Sequence, residues 1–114
     1  MDLTWMYCQG AVWCGLHTLD FNSMHGQTGV YIIFYAGNPG RVVYVGSGNI
    51  AERLAAHRTS PDIQAYVARD LKVTWAAVEP HWMQNVERYL ADNFHPLVGD
   101  AHPDVVPVAV NSPF

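Results

Sequence analysis

The clearest pattern in the chain is a pair of apolar segments separated by turn residues. Residues 29–35 (GVYIIFY) and 41–45 (RVVYV) are rich in β-branched and aromatic side chains, which pack well on a pleated sheet. Residues 36–40 between them (AGNPG) have the composition of a turn. The pattern therefore predicts a β-hairpin.

The length of the turn decides where the side chains of this hairpin point. A turn with an even number of residues would set Tyr35 opposite Gly40 and Tyr31 opposite Tyr44. Opposed residues share one face of a sheet, so both phenols would then point to the same side. A turn with an odd number of residues would direct them to opposite sides.

Helix signals follow the hairpin. Asn49, with Glu52 three residues later, forms a capping-box-like helix start, and Ser60-Pro61 predicts a second start because proline suits the first helical turn. The predicted elements are helices over residues 50–58, from 61 and over 82–94, and a strand over 72–78. This order is typical of an α+β domain with a small, largely antiparallel three-stranded sheet flanked by helices.

The first 27 residues have no comparable pattern, although apolar side chains are scattered through them. A chain of 114 residues, half of them hydrophobic, has room for one ordinary domain with a compact core. We therefore expect an N-terminal arm (residues 1–27) packed on a domain formed by residues 28–114. The four tryptophans are expected in the core.

The charge balance does not favour a nucleic-acid partner at first sight. Ten acidic residues outnumber six basic ones, for a net charge of −4, whereas proteins that bind nucleic acid usually present a basic surface. Three of the six cations, however, lie close together in sequence: Arg41, Arg53 and Arg58. A local positive site on an acidic protein is therefore predicted.

The cysteines and the start of the chain bear on compartment. No segment approaches the roughly 20 apolar residues of a membrane span, and the first residues (MDLT) lack a signal-peptide pattern. We therefore expect a cytoplasmic protein without a membrane partner, in which Cys8 and Cys14 are reduced, buried thiols. A zinc site that includes Cys8, Cys14 and His17 is a weaker alternative, because this spacing matches no standard zinc pattern.

Several polar residues suggest chemistry on phosphodiesters. Arg53 and His57 are four apart and project from one face of a helix. A guanidinium can bind a phosphate and stabilise charge in a transition state. A single carboxylate such as Glu87 can hold Mg²⁺ or Mn²⁺ together with waters and substrate oxygens. The features stand in the order GVY (29–31), YVG (44–46), Arg53 with His57, Glu87 and Asn111.

With this ordered set the chain resembles the GIY-YIG nuclease superfamily over residues 28–114. The resemblance implies a metal-dependent endonuclease that hydrolyses nucleic-acid phosphodiesters, with DNA as the expected substrate and one Mg²⁺ or Mn²⁺ ion as cofactor. The catalytic residues that it implies are Tyr31, Tyr44, Arg53, His57, Glu87 and Asn111, with Glu87 as the metal ligand. Gly46, Arg41 and Arg58 are expected to contact substrate.

By the same resemblance, Tyr31 and Tyr44 would activate the attacking water, and Arg53 would contact the scissile phosphate. His57 would form hydrogen bonds near a tyrosine or a phosphate, and Asn111 would brace the site. Such a small chain leaves specificity to the arm, a homodimer or a partner protein.

Two other functions are compatible with the same residues. One is a noncatalytic nucleic-acid-binding module, because each polar side chain taken alone is also an ordinary strand or surface residue. The other is a protein-interaction domain, which the acidic balance and the apolar richness favour. The histidines outside the proposed site show no metal-ligand spacing: His17, His25, His81, His95 and His102.

Overall fold

The computed structural model describes residues 1–10, 12–37, 40–99 and 103–114. The turn residues Asn38 and Pro39, and His102, lie outside the described residues. Four strands and three helices are present: β1 (Cys14–Gly15), β2 (Thr28–Tyr35), β3 (Arg41–Asn49), α1 (Ile50–His57), α2 (Pro61–Gln64), β4 (Lys72–Ala77) and α3 (Met83–Phe94). Short 3-10 helices cover Phe21–Met24 and Val67–Arg69. No helix in these ranges combines the length and hydropathy needed to cross a membrane.

The sheet has four strands in the order β1-β4-β2-β3, all paired antiparallel. The α+β class is therefore confirmed, but the prediction of three strands is wrong. The additional strand comes from the N-terminal arm, where Cys14 pairs with Val73 and Gly15 with Lys72. Two residues are too few to show the alternation from which a strand is recognised in sequence.

The hairpin register differs from the predicted one. Tyr35 pairs with Arg41, so the connection has an odd number of residues, and Tyr31 pairs with Gly46 rather than Tyr44. The register shifts by one between Ile33 and Phe34, where β3 carries an extra residue as a β-bulge. The odd connection alone would place Tyr31 and Tyr44 on opposite faces, and the extra residue of the bulge brings them back to the same face. Tyr44 consequently pairs with Ile33 and lies on the same face as Tyr31, as predicted.

One face of the sheet, here called the α1 face, bears Tyr31 and Ile33. Ile50 and Leu54 of α1 have no exposed surface and pack in the same core cluster as these strand residues. Asn49 accepts a hydrogen bond from the Glu52 backbone N–H, so the predicted helix cap is present. The capped helix is thereby held directly above the phenol of Tyr31.

The opposite face, here called the α3 face, bears Val30 and Ile32. Val86 and Leu90 of α3 are almost completely buried against these side chains. This cluster consists of apolar side chains. Its contribution to the free energy of folding therefore comes from apolar burial, about 1.5–3 kcal/mol for each fully buried large aliphatic side chain.

The N-terminal arm is built into both cores. Leu16 and Met24 are buried on the α1 face, and Trp5 is buried on the α3 face. Among the four tryptophans, Trp5 and Trp75 are buried as predicted, Trp13 is partly buried, and Trp82 is 38% exposed. Trp82 directly precedes α3, outside the regular apolar stripe of that helix.

The two cysteines are joined in a disulfide between Cys8 and Cys14, so the prediction of two free thiols is wrong. A backbone hydrogen bond from Cys8 N–H to the Val12 carbonyl turns the chain back on itself and brings the two Cα atoms to 5.0 Å. The zinc site proposed as an alternative is therefore excluded, because the two sulfur atoms are bonded to each other and are not thiolates. The His17 ring instead shares a hydrogen bond of 2.9 Å with the Gln64 side chain.

Candidate active site

Tyr31 is the centre of a polar cluster on the α1 face. It lies in the central strand β2 with no exposed surface, and its hydroxyl shares a hydrogen bond of 2.7 Å with Nε2 of His57. Gly46 makes room for this phenol from the neighbouring strand. A Cβ at Gly46 would lie 2.9 Å from Tyr31 Cε1 and closer still to Cζ and the hydroxyl oxygen. The glycine of the YVG motif is thus needed for packing.

Tyr44 is the diagonal neighbour of Tyr31. The two rings are stacked with their centroids 6.1 Å apart, and the Tyr44 ring lies 4.4 Å from that of His57. Tyr44 is only partly buried, whereas Tyr31 is completely enclosed. The requirement that both phenols share one face is therefore met, and Tyr44 is the phenol with direct access from solvent.

His57 closes α1 and is held in place by several contacts. Its side chain is 8% exposed, and its carbonyl accepts hydrogen bonds from the Ser60 N–H and from the Gln64 side chain. Burial, followed by the nearby charge of Arg53, lowers the pKa of His57 to about 4. The imidazole is therefore neutral near pH 7, and its Nε2 can accept the Tyr31 proton while the other ring nitrogen carries the hydrogen.

Arg53 lies one helical turn before His57, on the same side of α1. Its aliphatic stem passes over Gly48, where an added Cβ would lie 3.6 Å from Arg53 Cγ. The charges of Tyr31 and then Tyr44 favour its protonated form and raise its pKa. The side chain is otherwise exposed to solvent. The guanidinium thus adjoins both phenols while remaining free to meet an anion.

The pKa of Tyr31 is raised well above its ordinary value. Burial is the main cause, Arg53 acts in the opposite direction, and the charges of Tyr44 and Glu87 add to the increase. Tyr31 is accordingly a neutral phenol near pH 7. It can accept a proton only if it gives its own proton away, and His57 is the group placed to take it.

Glu87 approaches the cluster from the other side of the sheet. It lies on α3, and its Oε1 accepts a hydrogen bond of 2.6 Å from the Ser47 hydroxyl. Ser47 is opposite Val30 and so lies on the α3 face, at the edge strand β3. The small residues Gly46 and Gly48 on either side leave this edge thin, and the charge of Glu87 is felt at Tyr31 across it.

Ser47 is a residue that the motif-based prediction missed. The signal for it was present, because it is the hydroxyl-bearing residue between two glycines directly after the YV pair. Its hydrogen bond orients the carboxylate of Glu87 and leaves Oε2 without a protein hydrogen-bond partner in the part of the chain that the structure describes.

The donor set for a metal ion is correspondingly small. In residues 1–10, 12–37, 40–99 and 103–114 no group of three or more His, Cys, Asp or Glu side chains converges. The half-buried carboxylate of Glu87 has one oxygen, Oε2, without a protein hydrogen-bond partner among the described residues. One carboxylate with waters and phosphate oxygens is a sufficient set for Mg²⁺, which commonly retains several waters in proteins. Glu87 therefore fits the predicted role of sole protein ligand.

Asn111 is not brought to this cluster. Its Oδ1 accepts a hydrogen bond of 2.6 Å from the Leu3 N–H, and its Nδ2 donates one of 3.0 Å to the Leu3 carbonyl. The Asn111 carbonyl also accepts a hydrogen bond from the Trp5 indole, on the α3 face. Asn111 thus ties the tail to the N-terminal arm, and its predicted role of bracing the site is not supported by its contacts.

Arg58 is also committed to the arm rather than to a substrate. Its Nε donates a 2.7 Å hydrogen bond to the Leu16 carbonyl, a second guanidinium nitrogen donates to the Leu19 carbonyl, and the group lies 4.0 Å above the Phe21 ring. The expected substrate contact is therefore replaced by a structural one. Arg41 remains exposed, but at the opposite end of β3 from the cluster.

Comparisons of the chain with protein-family models, with curated proteins and with solved structures find no match. The inference about function therefore depends on the residues and on the geometry described above.

Proposed function

We propose that this protein is a metal-dependent endonuclease that hydrolyses phosphodiester bonds of nucleic acid. The observation that carries the proposal is the cluster on the α1 face, where the hydrogen-bonded Tyr31–His57 pair adjoins the exposed guanidinium of Arg53. The carboxylate of Glu87 lies across the edge strand β3 from this cluster, bonded to Ser47. Together they can position a phosphate, accept a proton and hold a cation.

Arg53 performs the first step, because its guanidinium is the exposed cation beside the phenols. A phosphodiester drawn to it forms charge-assisted hydrogen bonds with the guanidinium, beside the phenols.

The proton of the attacking water then moves along a short relay. As the water oxygen bonds to phosphorus, Tyr31 accepts its proton and passes its own proton over the 2.7 Å hydrogen bond to Nε2 of His57. Tyr44, stacked beside Tyr31 and open to solvent, orients the water. Glu87 would hold a divalent ion, which would supply stabilisation of the charge on the leaving oxygen; that oxygen takes a proton from solvent.

The proposal is tested by incubating the protein with Mg²⁺ or Mn²⁺ and labelled duplex, single-stranded and branched DNA and RNA. We expect cleavage of at least one substrate, abolished by EDTA and reduced at least about 100-fold in Glu87→Gln and Tyr31→Phe. Glu52→Gln is the matched control for Glu87→Gln, because it is the same change at an exposed helix residue with a backbone role only.

Absence of cleavage on every substrate with either metal ion would contradict the proposal. Salt-dependent binding without cleavage would instead identify a noncatalytic nucleic-acid-binding module on the same fold.

A further inference from the structure

Aromatic rings line a groove of about 460 Å³ at the turn end of the β2–β3 hairpin. Trp13 and Phe114 contact Phe34 edge to face, with ring centroids 5.3 and 4.8 Å away, and Phe94 lies 5.6 Å from Phe114. Phe114 is 57% exposed, so part of its ring faces the solvent. Arg41 stands on the rim. The groove therefore offers flat apolar surfaces beside a cation.

A second cation adjoins the same end of the sheet. Arg41 pairs across the hairpin with Tyr35, and the Arg69 guanidinium lies 5.3 Å from the Tyr35 ring centroid. Within the described ranges neither arginine forms an ion pair with a carboxylate. This end of the hairpin thus carries two positive charges without an anionic partner there.

The other cations are occupied, with one exception. Lys72 pairs with Asp70 and Arg88 with Asp92, while Arg58 is bound to the carbonyls of the arm. The exception is Arg53 in the catalytic cluster. On a protein with a net charge of −4, the positive charge available to a polyanion is therefore located at the cluster and at the groove.

Strand β3 connects these two places. Arg41 begins the strand and Gly46 lies beside the Tyr31 phenol, a separation of roughly 17 Å at about 3.4 Å per residue. The groove rings belong to the α3 face and Arg53 to the α1 face, so a nucleic-acid strand held at Arg53 would reach the groove by passing over the edge strand β3. Flat aromatic rings beside a cation match a base and its adjacent phosphate, which favours nucleic acid as the occupant.

We propose that the groove binds an unpaired base of the substrate, stacked on its aromatic rings, with the adjacent phosphate held by Arg41. The inference rests on the proposed function and narrows its substrate to nucleic acid with a single-stranded segment a few nucleotides from the cut. Stacking on an aromatic side chain requires an unstacked base, which a regular duplex does not provide without base flipping.

The test measures binding of a fluorescein-labelled single-stranded oligonucleotide by anisotropy in EDTA, so that no cleavage occurs. We expect Phe114→Ala to weaken binding about 5-fold or more, and Arg41→Gln to weaken it and lower the salt-dependence slope by about 0.7. Arg88→Gln is the charge-matched control, and its binding should stay near that of the wild type because this arginine is already paired. A matched duplex should bind the wild type more weakly than the single strand.

Unchanged single-strand affinity in both groove variants would overturn the inference, whatever the cleavage assay shows. Failure of the wild-type protein to bind the oligonucleotide would also overturn the inference, including the case in which it binds an acidic, aromatic peptide instead. If the groove variants lose affinity while no divalent ion produces cleavage, the groove assignment stands and the proposed endonuclease activity fails.

Discussion

The two faces of the sheet differ in the side chains that strand β2 contributes to them. On the α3 face, Val30 and Ile32 meet Val86 and Leu90 in an apolar cluster. On the α1 face, the same strand places a buried phenol against a buried imidazole. Burying a polar group costs free energy unless it is hydrogen-bonded, and these two groups are bonded to each other. The comparison shows that β2 gains stability from one face and holds the candidate chemistry on the other.

The largest expected effect concerns the α3 face. Leu90→Ala removes a side chain with 1% exposure and should lower the free energy of unfolding by about 2–5 kcal/mol, because it leaves a cavity that the core refills only partly. Urea titration followed by circular dichroism measures the change. Val67→Ala, at a residue 49% exposed, is the control and should change stability by less than about 0.5 kcal/mol. Equal effects would contradict the assigned role of this core.

The buried imidazole on the α1 face should make the stability of the protein depend on pH. The pKa of His57 is lowered from 6.5 to about 4 by burial and by Arg53, so between these values the unfolded chain binds a proton that the folded protein does not. Stability should therefore fall as the pH drops from about 6.5 to about 4, by up to about 3 kcal/mol from this group.

Urea unfolding at pH 7, 5.5 and 4 tests this expectation. His57→Gln should reduce the loss, whereas His81→Gln, at an exposed histidine, should leave it unchanged. Identical pH profiles for the wild type and His57→Gln would show that this imidazole is not held neutral by its surroundings.

A third experiment asks whether the phenol of Tyr31 needs the glycine opposite. Gly46→Ala places a methyl group where the Tyr31 ring lies, and overpacking of this kind costs about 1–3 kcal/mol. The unfolding free energy should fall by that amount. Tyr31→Val should remove most of the penalty in a double-mutant cycle, since the obstructing ring is gone. Additive effects of the two substitutions would contradict the direct contact.

The smallest expected change in stability tests whether Asn111 in the C-terminal segment acts apart from the candidate site. Asn111→Ala removes two hydrogen bonds to Leu3 and should cost about 1 kcal/mol of stability, because exposed hydrogen bonds contribute little net energy. The cleavage rate of the folded variant should remain that of the wild type. If the cleavage rate of Asn111→Ala fell by much more than the fraction of folded protein, Asn111 would have the role in the site that the sequence predicted.

Local signals in the sequence were sufficient for much of the fold. The hairpin, the Asn49 cap, α1 and α3 depend on β-propensity, capping and apolar periodicity over a few residues, and each is present close to its predicted bounds. The spacing of Arg53 and His57 likewise sufficed to set both on one side of α1, near the phenols. Such features are encoded over short distances along the chain.

Partners distant in sequence were decided by the tertiary structure. The bulge opposite Ile33 set the final register, the turn at Cys8 allowed the disulfide with Cys14, and Ser47 of β3 met the carboxylate of Glu87. Asn111 and Arg58 form hydrogen bonds with backbone groups of the arm instead of reaching the site. A side chain's type indicates which bonds it can form, but only the packed chain determines which complementary group lies within reach.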